Sequence, residues 1–395
     1  MVAAVYPDPP LIGDGESAVR ITNVEPFVVW GGNRNYTFVV VDTDAGISGV
    51  GEAGLTWKEQ AVAGTVEHLK QFLIGQDADR LELIWQSMAR GGFFPPGAIG
   101  MSAIAAIDIA LWDIQGKARG VPVYQLLGGL ARDRVVCYPH TVGRTVEELI
   151  ESCRQHVAEG WKFVRLGVGG QGETFEPAEA VRRCLANFEA VRTALGDEIE
   201  IVVDFHTRLD APDAIRLCRE LEPFHPFFVE DPLRAESMQG YRLVRQQTAV
   251  PLAVGEQLAS KWEFRQLVEE ELMDYARIDL CIAGGITEAR KIAGWCETHH
   301  IKLACHNPLG PVSAAACLHM SLATPNFGVQ EMPQKPHTRL SDVVPVQVDW
   351  ADGYLLPSSR PGLGVELDRE AARRHPFQMQ PAPQLRRLDG SFTNW

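Results

Sequence analysis

IEIVVDF at residues 199–205, PFFVEDP at 226–232 and PLAVGEQ at 251–257 are three short apolar runs, each with an acidic residue at or just past its end. Runs this short and this apolar, bounded by turn formers, read as strands buried on both faces. The segments between them have helical patterning. Strand, helix, strand, helix in succession means βαβ units and a parallel sheet.

The alternation extends in both directions. Upstream, VVCYPH (135–140) and WKFVRLG (161–167) each precede a helical pattern. Downstream, YARIDLC (275–281), IKLACHN (301–307) and NFGVQEM (326–332) continue it. Seven or eight short strands in about 200 residues favour a closed barrel over an open sheet. Before the barrel, ITNVEPFVVW (21–30) and YTFVVVDTDAGISGVGEA (36–53) read as a meander with glycine turns. Helical patterns follow, the most apolar being MSAIAAIDIALWDIQGKARG (101–120). The expected organisation is a loose tail over 1–20, a small α+β domain over 21–133, a barrel over 134–350 and a C-terminal segment over 351–395.

Polar residues recur with the period of the barrel. Asp204, Glu230 and Glu256 are 26 residues apart; Asp279 follows after 23, His306 after 27 and Glu331 after 25. One βα unit has about this length, so each lies at the equivalent place in its unit. That place is the C-terminal rim, where barrel enzymes keep their active sites.

Three converging carboxylates repel one another unless something neutralises them. A hard, all-oxygen set suits Mg²⁺, and no cysteine or histidine pair has zinc-like spacing. The competing explanation is an ion-pair network with Arg208, Arg277 or Lys302. Asp279 and His306 end consecutive strands, so a carboxylate can fix the tautomer of the imidazole and raise its basicity. Such a base beside a metal-bound carboxylate substrate could take a proton from the α-carbon. His206, two residues after Asp204, shares its face if the strand continues, and could protonate a leaving hydroxide. Glu331 could be a general acid or a hydrogen-bond partner of the substrate.

Composition excludes other classes. Hydrophobic residues make up 46% and charged residues 22% of the 395, enough for a large core. The net charge of −14 argues against nucleic acid and anionic membrane as partners. No run of about 18 apolar residues occurs, so no membrane-spanning helix is expected. The N-terminus lacks the basic and apolar regions of a secretory signal. The eight cysteines form no CxxC pair and read as reduced thiols, which points to a cytoplasmic protein.

VVDFHTR, FFVEDP, LAVGEQ, CIAGGITEARKIA, LACHNPLGPVS and FGVQEMP, in this order, resemble the enolase superfamily in its mandelate racemase-like branch. MSAIAAIDIALWDIQGKARGVPVYQLLGG is characteristic of that branch, and the ending LRRLDGSFTNW looks like mannonate dehydratases. The resemblance is greatest to the acid-sugar dehydratases, galactonate and mannonate dehydratases among them, and runs from about Ile21 to Trp395. It implies a modified TIM barrel, (β/α)₇β, with an N-terminal α+β capping domain whose loops near Asn35 and Trp57 close the site. It implies Mg²⁺ on Asp204, Glu230 and Glu256, an Asp279–His306 dyad with His306 as base, and His206 as the residue that expels the β-hydroxyl. It places Asn35, His140 and Arg165 against the substrate and Glu331 on the eighth strand.

Departures narrow the expectation. Arg165-Leu166-Gly167 stands where racemases of the superfamily carry a KxK motif, so two-base racemisation is not expected. The mannonate-type Arg–Tyr pair is incomplete, because the loop GVGGQGETFEP (167–177) has no tyrosine. The expected activity is dehydration of an aldonate such as D-galactonate to a 2-keto-3-deoxy acid. The alternatives are D-mannonate or D-gluconate dehydration, an epimerase or cycloisomerase of the same scaffold, and a non-catalytic relative. A homo-oligomer is expected.

Overall fold

The computed structural model describes residues 19–169 and 174–394. The expected tail therefore lies almost wholly outside the described residues; Arg20, its last residue, already pairs with Asp77.

The N-terminal domain opens with β1 (Ile21–Trp30), β2 (Asn35–Thr43) and β3 (Ser48–Ala53), an antiparallel meander. Helices α1 (Glu59–Leu73), α2 (Leu81–Arg90), α3 (Gly97–Arg119) and the single turn α4 (Val123–Leu126) follow. Strand β3 lies directly on α3. A Cβ on Gly49 or Gly51 would stand about 2 Å from the carbonyl oxygens of Ala110 and Ala106, so only glycine permits the approach.

α3 has the length and apolar composition of a membrane span, which corrects the expectation that no segment does. Its apolar window is 83% buried inside the protein, between the meander and the barrel. Three of its polar residues fasten it to the barrel. Ser102 donates to the Cys281 carbonyl at 2.8 Å, Trp112 Nε1 to Thr287 Oγ1 at 2.9 Å, and Asp108 accepts from the Thr287 amide at 3.0 Å.

The barrel alternates β4 (Val135–Tyr138), α5 (Val146–Ala158), β5 (Phe163–Gly167), α6 (Pro177–Leu195), β6 (Glu200–Asp204), α7 (Ala211–Leu221), β7 (Phe228–Glu230), α8 (Met238–Gln247), β8 (Leu252–Val254), α9 (Lys261–Glu269), β9 (Tyr275–Ala276), α10 (Gly285–Thr298), β10 (Lys302–Leu303), α11 (Pro311–Ala323) and β11 (Gln330–Glu331). Eight strands and seven intervening helices make the (β/α)₇β order. β5 to β10 form one parallel sheet, and β11 pairs in parallel with β4. A parallel bridge from Leu303 to Phe327 joins the β10 and β11 sides.

A hairpin of β12 (Asp349–Ala351) and β13 (Tyr354–Leu356) lies antiparallel to β4. The boundary expected between 350 and 351 therefore cuts through a strand that belongs with the barrel. Beyond the hairpin the chain returns to the N-terminal domain: Pro122 bridges Gly362, Val29 bridges Pro376, and α12 (Arg369–Arg374) packs on β1. All eight cysteines are buried and free.

Candidate active site

The strand register brings the rim together. Asp204 on β6 stands opposite Glu230 on β7, and Asp279 bridges His306 in parallel. Glu331 stands opposite Tyr138 on β4. Neighbours in register on parallel strands point to the same side, here the interior of the barrel mouth.

The carboxylates are divided between cations. Arg165, on β5, binds Asp204 and lies 3.9 Å from Glu230 Oε2. Arg277, fully buried, donates to Glu230 Oε1 at 2.6 Å and to Glu331 Oε2 at 2.7 Å. Part of the alternative explanation, an ion-pair network, is thus real. Arg277 was foreseen only in that role, although its place two residues before Asp279 marks it as inward-facing. Burial raises Glu230 to about 8 against the pull of Arg277, with Asp204 adding to the rise.

Glu256 is less fully matched. His306 Nε2 lies 3.4 Å from its Oε2, and His206 Nε2 lies 4.0 Å from its Oε1. Glu230, Asp231 and Glu256 each bring an oxygen within 4.8 Å of the others, an arrangement that can hold a metal ion. Asp231 was not anticipated; its signal was its place beside Glu230 in the acidic pair of VEDP. Its Oδ1 accepts from the Gly255 amide at 3.1 Å, and its buried Oδ2 has no hydrogen-bond partner. Burial, then Glu256 and Glu230, push its carboxyl well above the usual range. Asp204 is not in this cluster; its carboxylate is bound by Arg165.

His306 is oriented from one side: Asp279 Oδ2 lies 2.8 Å from its Nδ1. Asp279 is fixed in turn by the Cys281 amide at 2.7 Å. Burial alone would lower the basicity of the imidazole. Glu331, Glu256 and Asp279 outweigh it and raise the ring to about 9.

Three expectations change. His206 does not continue the strand: β6 ends at Asp204, and His206 and Thr207 take left-handed backbone, φ 50° and 57°. The turn, stabilised by the His206 amide donating to Asp204 Oδ1 at 2.7 Å, still brings the ring toward Glu256. Asn35 does not face the mouth. Its amide is spent on the Gln378 backbone, donating at 2.8 Å and accepting at 3.0 Å. Strand alternation turns its neighbour Tyr36 into the cleft and Asn35 away. Glu331 is not poised as an acid: Arg277, the Asn307 amide at 2.9 Å and His140 Nε2 at 2.5 Å occupy its oxygens. Against the burial that opposes it, Arg277, His306 and His140 hold Glu331 well below the usual carboxylate range.

The N-terminal domain reaches this rim. Glu52 on β3 accepts from the Gly310 and Ser313 amides at 2.6 and 2.9 Å, at the N-terminus of α11. Leu55 and Trp57, on the following loop, take left-handed backbone, φ 64° and 70°.

The model of the enolase C-terminal domain-like family matches residues 148–371, and that of the mandelate racemase/muconate lactonizing enzyme N-terminal domain matches 20–128. The chain belongs to the enolase superfamily, in its mandelate racemase/muconate lactonizing enzyme family. A D-mannonate dehydratase of Caulobacter sp. strain K31 is 40% identical over 390 residues, 92% of this chain and 96% of the relative. A D-galactonate dehydratase family member of Marinomonas sp. strain MWYL1 is 38% identical over 391 residues, with 92% and 96% covered. An enolase structure from Pantoea ananatis, with bound D-gluconate and Mg, superposes with a TM-score of 0.90 at 32% identity, over 95% of this chain and 99% of that one. Within the family the chain falls among the acid-sugar dehydratases, a group of hydro-lyases.

Proposed function

We propose that the chain is a Mg²⁺-dependent dehydratase of a sugar acid, with an aldonate such as D-galactonate as the reference substrate and a 2-keto-3-deoxy acid as product. The observation that carries this reading is the Asp279–His306 pair at 2.8 Å, with the free side of the ring facing the carboxylate-lined mouth.

The donor set fits a cation. The Arg165 guanidinium stands between Asp204 and Glu230, marking the place where positive charge is needed. Asp231 lines a small gap behind the strands with Tyr241 and Leu267, so it supports the site from outside the mouth. Asp204, Glu230 and Glu256 are therefore the residues we assign to Mg²⁺. When bound, the ion supplies positive charge that steadies the substrate's C1 carboxylate and offsets the carboxylates around His306.

The protein's own groups do the rest. Neutral His306 takes the C2 proton at Nε2 while Asp279 holds Nδ1–H, so the ring cannot present the wrong tautomer. The C2–H electron pair moves toward C1. It then forms the C2–C3 double bond as the C3–O bond breaks, and His206 gives the departing hydroxyl a proton. The enol so formed tautomerises to the 2-keto acid. Loops 31–36 and 54–58 exclude water from the mouth.

The test is a panel of aldonic and aldaric acids with Mg²⁺, scored by keto-acid formation with semicarbazide. The panel also separates D-galactonate from D-mannonate and D-gluconate. An epimer without keto acid would replace dehydration by isomerisation. Binding without turnover across the panel would mean a non-catalytic relative.

A further inference from the structure

The proposed dehydration uses C1 to C3, so the remainder of the substrate must lie against another surface. Beside the rim, a cleft with about 670 Å³ of space, open to solvent, runs between the loop before β2 and the loops after β10 and β11. It meets the rim at His140 and Asn307, both bonded to Glu331.

Its charge is unusual for this protein. The chain carries a net charge of −14, yet among the described residues no Asp or Glu lines the cleft, while Arg34, Lys335 and Arg339 do. Lys335 is neutralised by Glu159 at 3.1 Å. Arg34 and Arg339 form no ion pair among the described residues. Arg34 donates to the Pro308 carbonyl at 2.6 Å and to Thr56 Oγ1 at 2.7 Å. Arg339 donates to Gln334 Oε1 at 2.9 Å, to Asn33 Oδ1 and to the Tyr36 hydroxyl at 3.4 Å. Arg34 also shares its field with the buried Glu52 carboxylate behind Gly310, whereas the neutral acceptors around Arg339 hold its guanidinium in place without cancelling its charge.

The geometry points to a subsite in this cleft for a second anionic group, a carboxylate or a phosphate, at the end of the substrate remote from C1. A guanidinium fork matches either oxyanion, whereas the hydroxymethyl end of a simple aldonate leaves the Arg339 charge uncompensated. Among sugar acids, the cleft then favours a dianion over the reference aldonate. The inference rests on the sugar-acid reading of the rim, which the test below separates from it.

The test is calorimetric titration of Mg²⁺-loaded His306→Asn protein, in which turnover does not obscure binding. The probes are matched sets of galacto, gluco and manno configuration, each with the aldonate, the aldarate and the 6-phosphoaldonate. In at least one set a dianion should bind about ten- to a hundredfold tighter than its aldonate, the factor expected of one added ionic hydrogen bond. Which dianion gains tells carboxylate from phosphate. Arg339→Gln should remove the advantage, and Arg339→Lys should restore part of it. Equal or tighter binding of the aldonate in every set would overturn the subsite. So would an Arg339→Gln protein, folded by thermal melting, that weakens aldonate and dianion by the same factor. If the dianion advantage persists but wild-type protein forms no keto acid from any probe, the reaction falls and the subsite stands. If aldonates turn over at least as well as their dianions, the reverse holds.

Discussion

His306 lies between two kinds of partner: Asp279 Oδ2 is 2.8 Å from its Nδ1, and Glu256 Oε2 is 3.4 Å from its Nε2. One side of the ring is committed to orientation and the other opens on the mouth.

His306→Asn should therefore lower kcat by about 10²–10⁴-fold, the range for a positioned acid–base group, with Mg²⁺ affinity almost unchanged. The asparagine amide can still reach Asp279, so folding should survive. C2 deuterium exchange in D₂O at the wild-type rate would show that another group is the base.

His206 approaches Glu256 from a left-handed turn, with its Nε2 4.0 Å from Glu256 Oε1. His206→Asn should stop dehydration while His306 still removes and returns the C2 proton. Deuterium should then appear at C2 without keto acid. Normal turnover would assign His206 to the turn alone.

The metal assignment is decided by a pair of variants. Asp204→Asn should abolish Mg²⁺ binding measured by calorimetry. Asp231→Asn, which loses only a supporting carboxylate, should weaken it about 10–100-fold. The opposite order would make Asp231 the third ligand and leave Asp204 as the partner of Arg165.

His319 offers a test of stability. It is buried on α11, accepts from the Tyr124 amide at Nδ1 (3.1 Å) and donates from Nε2 to the Leu363 carbonyl (3.1 Å). Burial lowers it to about 4. The unfolded chain takes up a proton near pH 6.5 that the folded chain refuses until about pH 4. The contribution is full above pH 6.5 and is lost as pH falls toward 4, on the order of 3 kcal/mol across the window. In denaturant melts, His319→Gln should flatten the fall in stability between pH 7 and pH 5 relative to wild type. An identical slope in both proteins would rule this group out as a source.

How legible the molecule was depended on the distance over which each feature is determined. The barrel order and the strand-end positions of Asp204, Glu230, Asp279, His306 and Glu331 follow from local apolar runs and their period. The pairing of Asp279 with His306 followed too, because consecutive parallel strands place their ends side by side. What failed needed contacts far apart in sequence. Asn35 pairs with a residue 343 positions away, and Arg277 reaches Glu331 across 54. The turn at His206 was not legible because an apolar run does not show where a strand stops. The expected boundary split the hairpin of β12 and β13 because its partner, β4, lies more than 200 residues earlier.

α3 lies against the meander on one side and the barrel on the other, and its Ser102, Asp108 and Trp112 are bonded to the 281–287 stretch of the barrel. The two domains thus share one keel. A cut near residue 133 would strip a long apolar face from both halves, so neither should be soluble alone. Nor can the N-terminal domain swing as a rigid body to admit substrate, since that would tear these bonds. Flexing of the short loops around Arg34 and Trp57 over this fixed base would leave the bonds intact, and their lengths, not the angle between domains, would then limit how large a molecule can enter.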